Sequence, residues 1–326
     1  MNGGRAPRAT AATPALSAWP PLAYDDWKDT CTTLHLWIQI VGKLRLACAP
    51  WLNHSWHAVL YVTTRGLTTS PIPYDEDAFE IDFDFHDHVL RVSRSDGRRA
   101  TLELRPRSVA EFYHALMAEL QRLGIRVRIH GSPNEVVEAV PFERDELHGS
   151  YDPLYAHRFW RVLADGARVL GQFRSEFIGK ASPVHVFWGG LDIAATRFSG
   201  RPAPPHPGGV PNLPDWVGRD AYSHEVSSAG FWPGAERYPN AIFYSYAYPA
   251  PAGFAEAPVE PASAGWDATL SEFVLPYDAL RAAASPDQEL LAFLRSTYAA
   301  AADLGGWERD KLEWPPGAQP QPRRRP

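Results

Sequence analysis

Four side chains that could take part in acid–base chemistry stand in one stretch of the sequence, between residues 182 and 249. They are His185, Asp192, His224 and Glu225. A histidine oriented by a carboxylate is the usual arrangement of a general base. The same pairing also satisfies a buried histidine that has only a structural role. We therefore treat these four residues as candidate catalytic residues and keep both interpretations open.

The predicted strands restrict which of these side chains can meet. Successive side chains of a strand point to opposite faces. In the strand predicted at 191–198, Asp192 therefore faces away from Arg197, and in the strand predicted at 221–228 the neighbours His224 and Glu225 also diverge. The turn Gly189-Gly190 could place His185 near Asp192. The catalytic hypothesis narrows to His185 together with His224.

Aromatic residues are concentrated in the same part of the chain. Nine residues between 216 and 248 are aromatic, whereas the aromatic share of the whole chain is 12%. Three tyrosines on one strand can stack on a sugar or a planar ligand, or they can pack between two layers. This pattern predicts either an aromatic-lined pocket or an unusually aromatic core. The residues predicted to bind a ligand are Trp188, Arg197, Tyr222, Trp232, Tyr244 and Tyr246.

Several functional classes find no support in the sequence. It contains no Gly-x-Ser-x-Gly motif, no phosphate-binding glycine loop and no spacing typical of a zinc site, so we expect no metal and no cofactor. A net charge of −6 argues against a general nucleic-acid partner. No apolar run approaches 18 residues, so no membrane partner is expected. Only two cysteines are present, which favours a cytoplasmic location. The oligomeric state is not indicated.

The first half of the chain reads as two helices and a meander of strands. Phe79, Ile81, Phe83 and Phe85 alternate with acidic residues, which is typical of a strand with one buried face. A three-residue turn at 96–98 would pair Arg91 with Glu103 and Val92 with Leu102. The predicted elements are a helix from Asp25 or Asp26 to Cys48, strands at 56–63, 79–85, 89–95 and 99–105, a helix between Ser108 and Gly124, and a strand at 125–130.

The second half repeats this mixture of elements. A helix should begin near Asp152-Pro153 and reach Phe177, and another should begin at Ser285-Pro286. The loop 202–214 is too long for a plain connection. Strands are predicted at 184–188, 191–198, 221–228, 241–248 and 269–275.

Together these elements predict an α+β fold in which amphipathic helices cover antiparallel sheets. We expect two packed layers in one integrated unit. Its parts are a half at 19–145, a second half at 151–314, and disordered tails at 1–18 and 315–326.

Several sequence runs resemble an uncharacterised bacterial family known only as a domain of unknown function. They are HLWIQIVGK at 35–43, LYVTTRGLTTS at 60–70, TRFSGR at 196–201 and YSHEVSSAGFWPG at 222–234. The resemblance extends from Trp19 to about Trp314. It implies that the chain behaves as one unit, and it brings no activity, cofactor or site residue.

Three functional hypotheses follow from the sequence. The first is an aromatic-lined pocket that binds a small polar ligand. The second is a hydrolase-type or metal-assisted enzyme that uses His185 and His224. The third is a protein-interaction or structural role without a small-molecule site. The geometry of the two histidines separates the first two hypotheses: the enzyme requires their nitrogens to converge with a carboxylate.

Overall fold

The computed structural model describes residues 18–315 and residue 318. The tails predicted at 1–18 and 315–326 lie almost entirely outside these residues. The described part of the chain has an α+β fold with two antiparallel sheets, as the sequence predicted.

The N-terminal sheet contains the predicted meander. Its strand order is β1-β2-β4-β5-β6, and β3 pairs with β4. The alternating apolar residues of β4 are buried, and its acidic side chains lie on the other face. The strands are β1 Tyr61–Val62, β2 Gly66–Thr68, β3 Ile72–Tyr74, β4 Asp77–Asp84, β5 Val89–Arg94 and β6 Arg99–Glu103.

The register predicted for the β5–β6 hairpin is wrong by two residues. Arg91 pairs with Thr101 and Val92 with Ala100. The three-residue turn is 95–97 rather than 96–98, because the last residue of such a turn adopts the left-handed conformation, and Gly97 has a φ of 90°. A shift of two residues keeps each side chain on its predicted face.

The C-terminal sheet is the platform for the candidate site. Its strand order is β11-β12-β10-β9-β8-β7, with every neighbouring pair antiparallel. The strands are β7 His185–Phe187, β8 Asp192–Pro202, β9 His224–Trp232, β10 Ile242–Tyr248, β11 Gly265–Asp267 and β12 Glu272–Pro276.

Helices cover one face of each sheet and join the two halves. Ser108 caps the second helix by accepting a hydrogen bond from Glu111 N, and Asp152 caps the third by accepting from Leu154 N and Tyr155 N. The helices are α1 Tyr24–Cys48, α2 Val109–Arg122, α3 Pro153–Ser175, α4 Asp215–Ala221, α5 Tyr277–Ala282, α6 Pro286–Leu304 and α7 Arg309–Leu312. None of the described helices is long and apolar enough to cross a membrane.

The hydrophobic core runs through both halves of the chain. α1 packs against α2 and α3, while α3 and α6 cover one face of the C-terminal sheet. The sheets also meet directly, since Leu60 and Val186 exchange two backbone hydrogen bonds of 3.0 and 2.8 Å. One cluster of buried apolar side chains extends from Trp19 to Ala302.

Four predicted strands differ from the observed structure. The strand predicted at 269–275 begins only at Glu272, because the backbone N–H groups of Thr269 and Leu270 bond to Asp267 Oδ1 in a turn. Residues 125–130 form no strand, because the backbone N–H of Arg126 bonds to the Tyr74 hydroxyl instead of to a neighbouring strand. The strand predicted at 56–63 is reduced to β1, because a 3-10 turn at 53–55 precedes it. The strand predicted at 221–228 begins only at His224, because α4 occupies residues up to Ala221.

Candidate binding cavity

The face of the C-terminal sheet opposite α3 and α6 borders a cavity of about 810 Å³. Its floor is made by side chains of β8, β9, β10 and β12. Its walls come from α1, from the segment around Glu135, from the loop at 202–214 and from α4. The long loop singled out in the sequence therefore forms part of the wall.

Strand alternation brings several predicted aromatic residues to this cavity. Trp188, Tyr222, Trp232, Tyr244 and Tyr246 all line it. The hydroxyls of Tyr222 and Tyr246 lie 2.8 Å apart and share a hydrogen bond, and Trp232 Nε1 donates to the Gly190 carbonyl at 3.1 Å. These contacts hold the rings in fixed orientations.

Tyr244 reaches across the sheet to Asp192. Tyr244 on β10 pairs with Gly230 on β9, and Gly230 pairs with Ala194 on β8. The Tyr244 ring lies over Gly230, and its hydroxyl donates a hydrogen bond to Asp192 Oδ2. A side chain at position 230 would occupy the place of this ring. The glycine thus permits the contact between β10 and β8.

Replacing Gly230 with alanine should destabilise the protein by about 1 to 3 kcal/mol, as overpacking typically does. The added Cβ would lie 2.1 Å from the Ile193 carbonyl oxygen and 2.7 Å from the Tyr244 hydroxyl. Denaturant unfolding measures the loss. Gly265→Ala on β11 is the matched control, because no atom lies within 4 Å of its added Cβ. Equal stability of the two variants would contradict this account of Gly230.

The carboxyls of Glu135 and Glu272 accompany that of Asp192 in the cavity lining, to which Glu236 also belongs. A methyl group at position 190 would lie 3.0 Å from Asp192 Oδ1 and 3.7 Å from Glu135 Oε2, so these two carboxyls flank the same glycine. Glu272 lies on β12, two residues before the partner of Tyr244. Four carboxyls from distant parts of the sequence therefore share one cavity.

The surroundings of these carboxyls disfavour their ionised forms. Burial raises the pKa of Asp192 to about 6 although the Tyr244 hydrogen bond opposes the shift. Burial, with a smaller contribution from the charge of Asp192, raises the pKa of Glu135 and of Glu272 to about 7. Glu135 is exposed to the cavity itself, while the surrounding protein limits its hydration.

Backbone strain accompanies two of the carboxyls. Glu135 and Leu191, the residue before Asp192, both have a φ of 61°. For a residue other than glycine this left-handed conformation costs about 1 to 2 kcal/mol. The backbone N–H of Glu135 is held by the Pro211 carbonyl at 2.9 Å. Strain that the surrounding structure maintains in this way is common at functional sites.

A polar stripe in the buried part of α1 positions these strained segments. It consists of His35, Gln39 and Lys43, which are four residues apart and lie on one helix face. Gln39 brackets the backbone of Asn134, donating to its carbonyl at 2.9 Å and accepting from its N–H at 2.8 Å. His35 Nε2 bonds to the Gly189 carbonyl at 2.8 Å. The stripe thus fixes the residues next to Glu135 and Asp192.

The rim of the cavity carries exposed aromatic residues. Trp51 and Trp216 are 39% and 54% exposed, and their ring centroids are 4.6 Å apart. Deeper in the wall, the His206 ring stacks on Tyr222 at 4.6 Å. Aromatic rings therefore extend from the entrance to the sheet.

The structure does not bring His185 and His224 together. His185 is 0% exposed and does not line the cavity, and neither of its ring nitrogens forms a hydrogen bond within the described residues. Burial lowers its pKa to about 3. His224 is exposed at the start of β9 and bonds to Ser223 Oγ. The predicted convergence of these histidines is not found.

Two other predicted residues also lie outside the cavity. Glu225 pairs with Arg201 at 2.7 Å on the opposite face of β9. Arg197 faces the helices, as the alternation of β8 requires, and its guanidinium lies 3.5 and 4.2 Å from the ring centroids of Phe173 and Tyr298. Of the charged residues singled out in the sequence, Asp192 alone reaches the cavity lining.

No group of three or more His, Cys, Asp or Glu residues suited to a metal ion occurs in the described part of the chain. The cavity carboxyls therefore do not form a candidate metal centre. Their chemistry is that of hydrogen-bond acceptors and negative charges beside aromatic rings.

Sequence reasoning missed Glu135 and Glu272. Glu135 lies in an irregular segment without periodicity, and Glu272 stands at the start of a short strand. One signal that the sequence analysis did not use is the spacing of His35, Gln39 and Lys43 within the apolar part of α1. Buried polar groups require partners, so this spacing indicates that polar groups pack against α1, but it does not identify Glu135 or Glu272.

The chain matches no curated protein and no solved structure at a significant level. A family model covers residues 19–314, which is most of the chain and the range over which the sequence runs suggested a resemblance. The protein belongs to the family of unknown function DUF5996.

Proposed function

We propose that this protein binds a small organic molecule in the aromatic-lined cavity. One observation carries the proposal: the Asp192, Glu135 and Glu272 carboxyls and the tyrosine hydroxyls converge on a single cavity of about 810 Å³. Ligand sites typically have volumes of about 300 to 1,000 Å³ and combine apolar walls with a few convergent polar groups.

The strained and unpaired groups around the cavity support the same function. No hydrogen bond from the described residues reaches the carboxyls of Glu135 or Glu272. Their oxygens are therefore available to bond to a ligand that enters the cavity. The hydrolase-type alternative finds less support, because His185 and His224 lie apart.

We also propose a cytoplasmic location. Cys31 and Cys48 are both free thiols on α1, 17 positions apart along one helix. Free thiols are typical of a reducing compartment.

A thermal-shift screen of a small-molecule library tests the binding function. A ligand at 100 times its Kd should stabilise the protein by about 2.7 kcal/mol. Leu213→Trp, which adds bulk from the loop wall, should abolish the response to each ligand. Leu147→Trp is the matched control, because Leu147 is 79% exposed and does not line the cavity.

The outcome separates binding in the cavity from adventitious binding. Stabilisation that survives in Leu147→Trp and disappears in Leu213→Trp supports the proposal. Ligands that stabilise both variants equally, or a library without any stabilising compound, would overturn it.

A further inference from the structure

We propose that the ligand of this cavity is an organic cation, an amine or quaternary ammonium compound with an apolar body, and this inference rests on the function proposed above. The charge of the lining is the first argument. Four carboxyl side chains line the cavity, whereas no lysine or arginine is found among the described lining residues. The four are Glu135, Asp192, Glu236 and Glu272.

Two of the three histidines of the described lining, His35 and His54, do not balance this charge, and the third, His206, stacks on Tyr222. Burial lowers the pKa of His35, and it lowers that of His54 to about 4, so both are neutral at pH 7. Lys43 donates a hydrogen bond to Asn134 and lies 5.7 Å from the Trp188 ring centroid, but it is not a lining residue. Within the described lining, the carboxyls therefore have no lysine or arginine beside them.

The carboxyls act on a common region of the cavity. Burial raises the pKa of Tyr222 to about 12, and the charges of Glu272, Asp192 and Glu135 all add to this shift. A hydroxyl that responds to all three charges lies within their shared field. A ligand next to Tyr222 would therefore experience the same negative potential.

Aromatic rings surround this negative region. The Tyr222 ring stacks on His206, and its centroid lies 5.0 Å from that of the Tyr248 ring. Trp188 and Trp232 line the neighbouring wall. The faces of tyrosine and tryptophan rings attract cations, most strongly where water is excluded. The apolar surface of these rings suits the hydrocarbon part of the same ligand.

Other ligand charges fit this cavity less well. An anion would be repelled by the carboxyls. A neutral sugar could hydrogen-bond to them but would leave their negative charges uncompensated at pH 8. A cation compensates the charges and uses the ring faces.

Three compounds of similar size and different charge test the inference: benzyltrimethylammonium, benzyl alcohol and phenylacetate. Isothermal titration at pH 8 measures the Kd of each for the full-length protein. We expect benzyltrimethylammonium to bind at least about tenfold more tightly than the other two. The double variant Glu135→Gln/Glu272→Gln should lose this preference. Glu103→Gln should retain it, because Glu103 is 76% exposed on the other sheet.

Each result decides the question. Equal or tighter binding of benzyl alcohol or phenylacetate overturns the inference, and so does a preference for the cation that persists in a folded double variant. If none of the three compounds binds, the inference also fails. The binding function proposed above is tested separately by the thermal-shift screen. It still stands if the screen yields other ligands whose binding Leu213→Trp abolishes. It fails together with the inference if the screen yields no ligand.

Discussion

Replacing Glu272 with glutamine is expected to stabilise the protein at pH 8 and to weaken cation binding. The folded protein holds the Glu272 proton up to a pKa of about 7, whereas the ordinary value is 4.5. Between these pH values the folded state binds more protons than the unfolded state, so stability falls as the pH rises through this window. Glutamine carries no charge and avoids this loss.

The free energy of unfolding should increase by about 1 to 2 kcal/mol at pH 8. This value is smaller than the full pKa shift of Glu272 would give, because the side chain is partly exposed to solvent. Denaturant unfolding at pH 8 and at pH 4 measures it, and the gain should be much smaller at pH 4, where the carboxyl is neutral in the folded state and mostly neutral in the unfolded state. Glu103→Gln, at an exposed position, should show no such gain. A Glu272→Gln protein that is less stable than wild type at pH 8 would contradict the proposed environment.

A carboxyl whose ionised form lowers the stability of the folded protein is better explained by a role in binding than by a role in folding. Asp192 and Glu135 are disfavoured in their ionised forms in the same way as Glu272, and Glu135 also carries backbone strain. Proteins commonly keep such groups where a ligand restores the lost interactions. The stability measurement and the binding measurement thus examine two consequences of one arrangement.

Local patterns in the sequence predicted most of the fold. The apolar periodicity of α1 and the strict alternation of β4 depend only on neighbouring residues, and both elements were predicted close to their observed bounds. The strand predicted at 125–130 failed for a tertiary reason, since an apolar segment becomes a strand only where a partner offers backbone groups. The β5–β6 register failed because the position of one glycine in the turn decides it.

The sequence could predict a residue of the site only where the alternation of side chains along a strand was enough to assign its face. Alternation placed Tyr244 and Tyr246 on one face and Arg197 on the opposite face from Asp192, and the structure has this arrangement. Glu135 could not be found in this way, because it reaches the cavity through contacts between α1 and a distant irregular segment. Spacing along the sequence carries no record of such contacts.

Replacing His185 with phenylalanine is expected to make the protein more resistant to acid. Burial lowers the pKa of His185 to about 3, with smaller contributions from the charges of His54 and Arg45. The unfolded chain takes up this proton below the ordinary pKa of 6.5, whereas the folded chain does so only near pH 3. The folded state therefore loses stability as the pH falls through this window.

At pH 4.5 the variant should be more stable than wild type by about 2 to 3 kcal/mol, because each pKa unit corresponds to about 1.4 kcal/mol. Some gain should remain at pH 7, since both ring nitrogens lack hydrogen-bond partners within the described residues. His185→Leu provides a smaller side chain if phenylalanine overpacks the site. Unfolding of the exposed-site variant His224→Phe should follow wild type at both pH values. A loss of stability in both His185 variants at pH 4.5 would show that the imidazole forms stabilising bonds in the folded protein. If both variants also lost ligand binding, His185 would again be a candidate site residue.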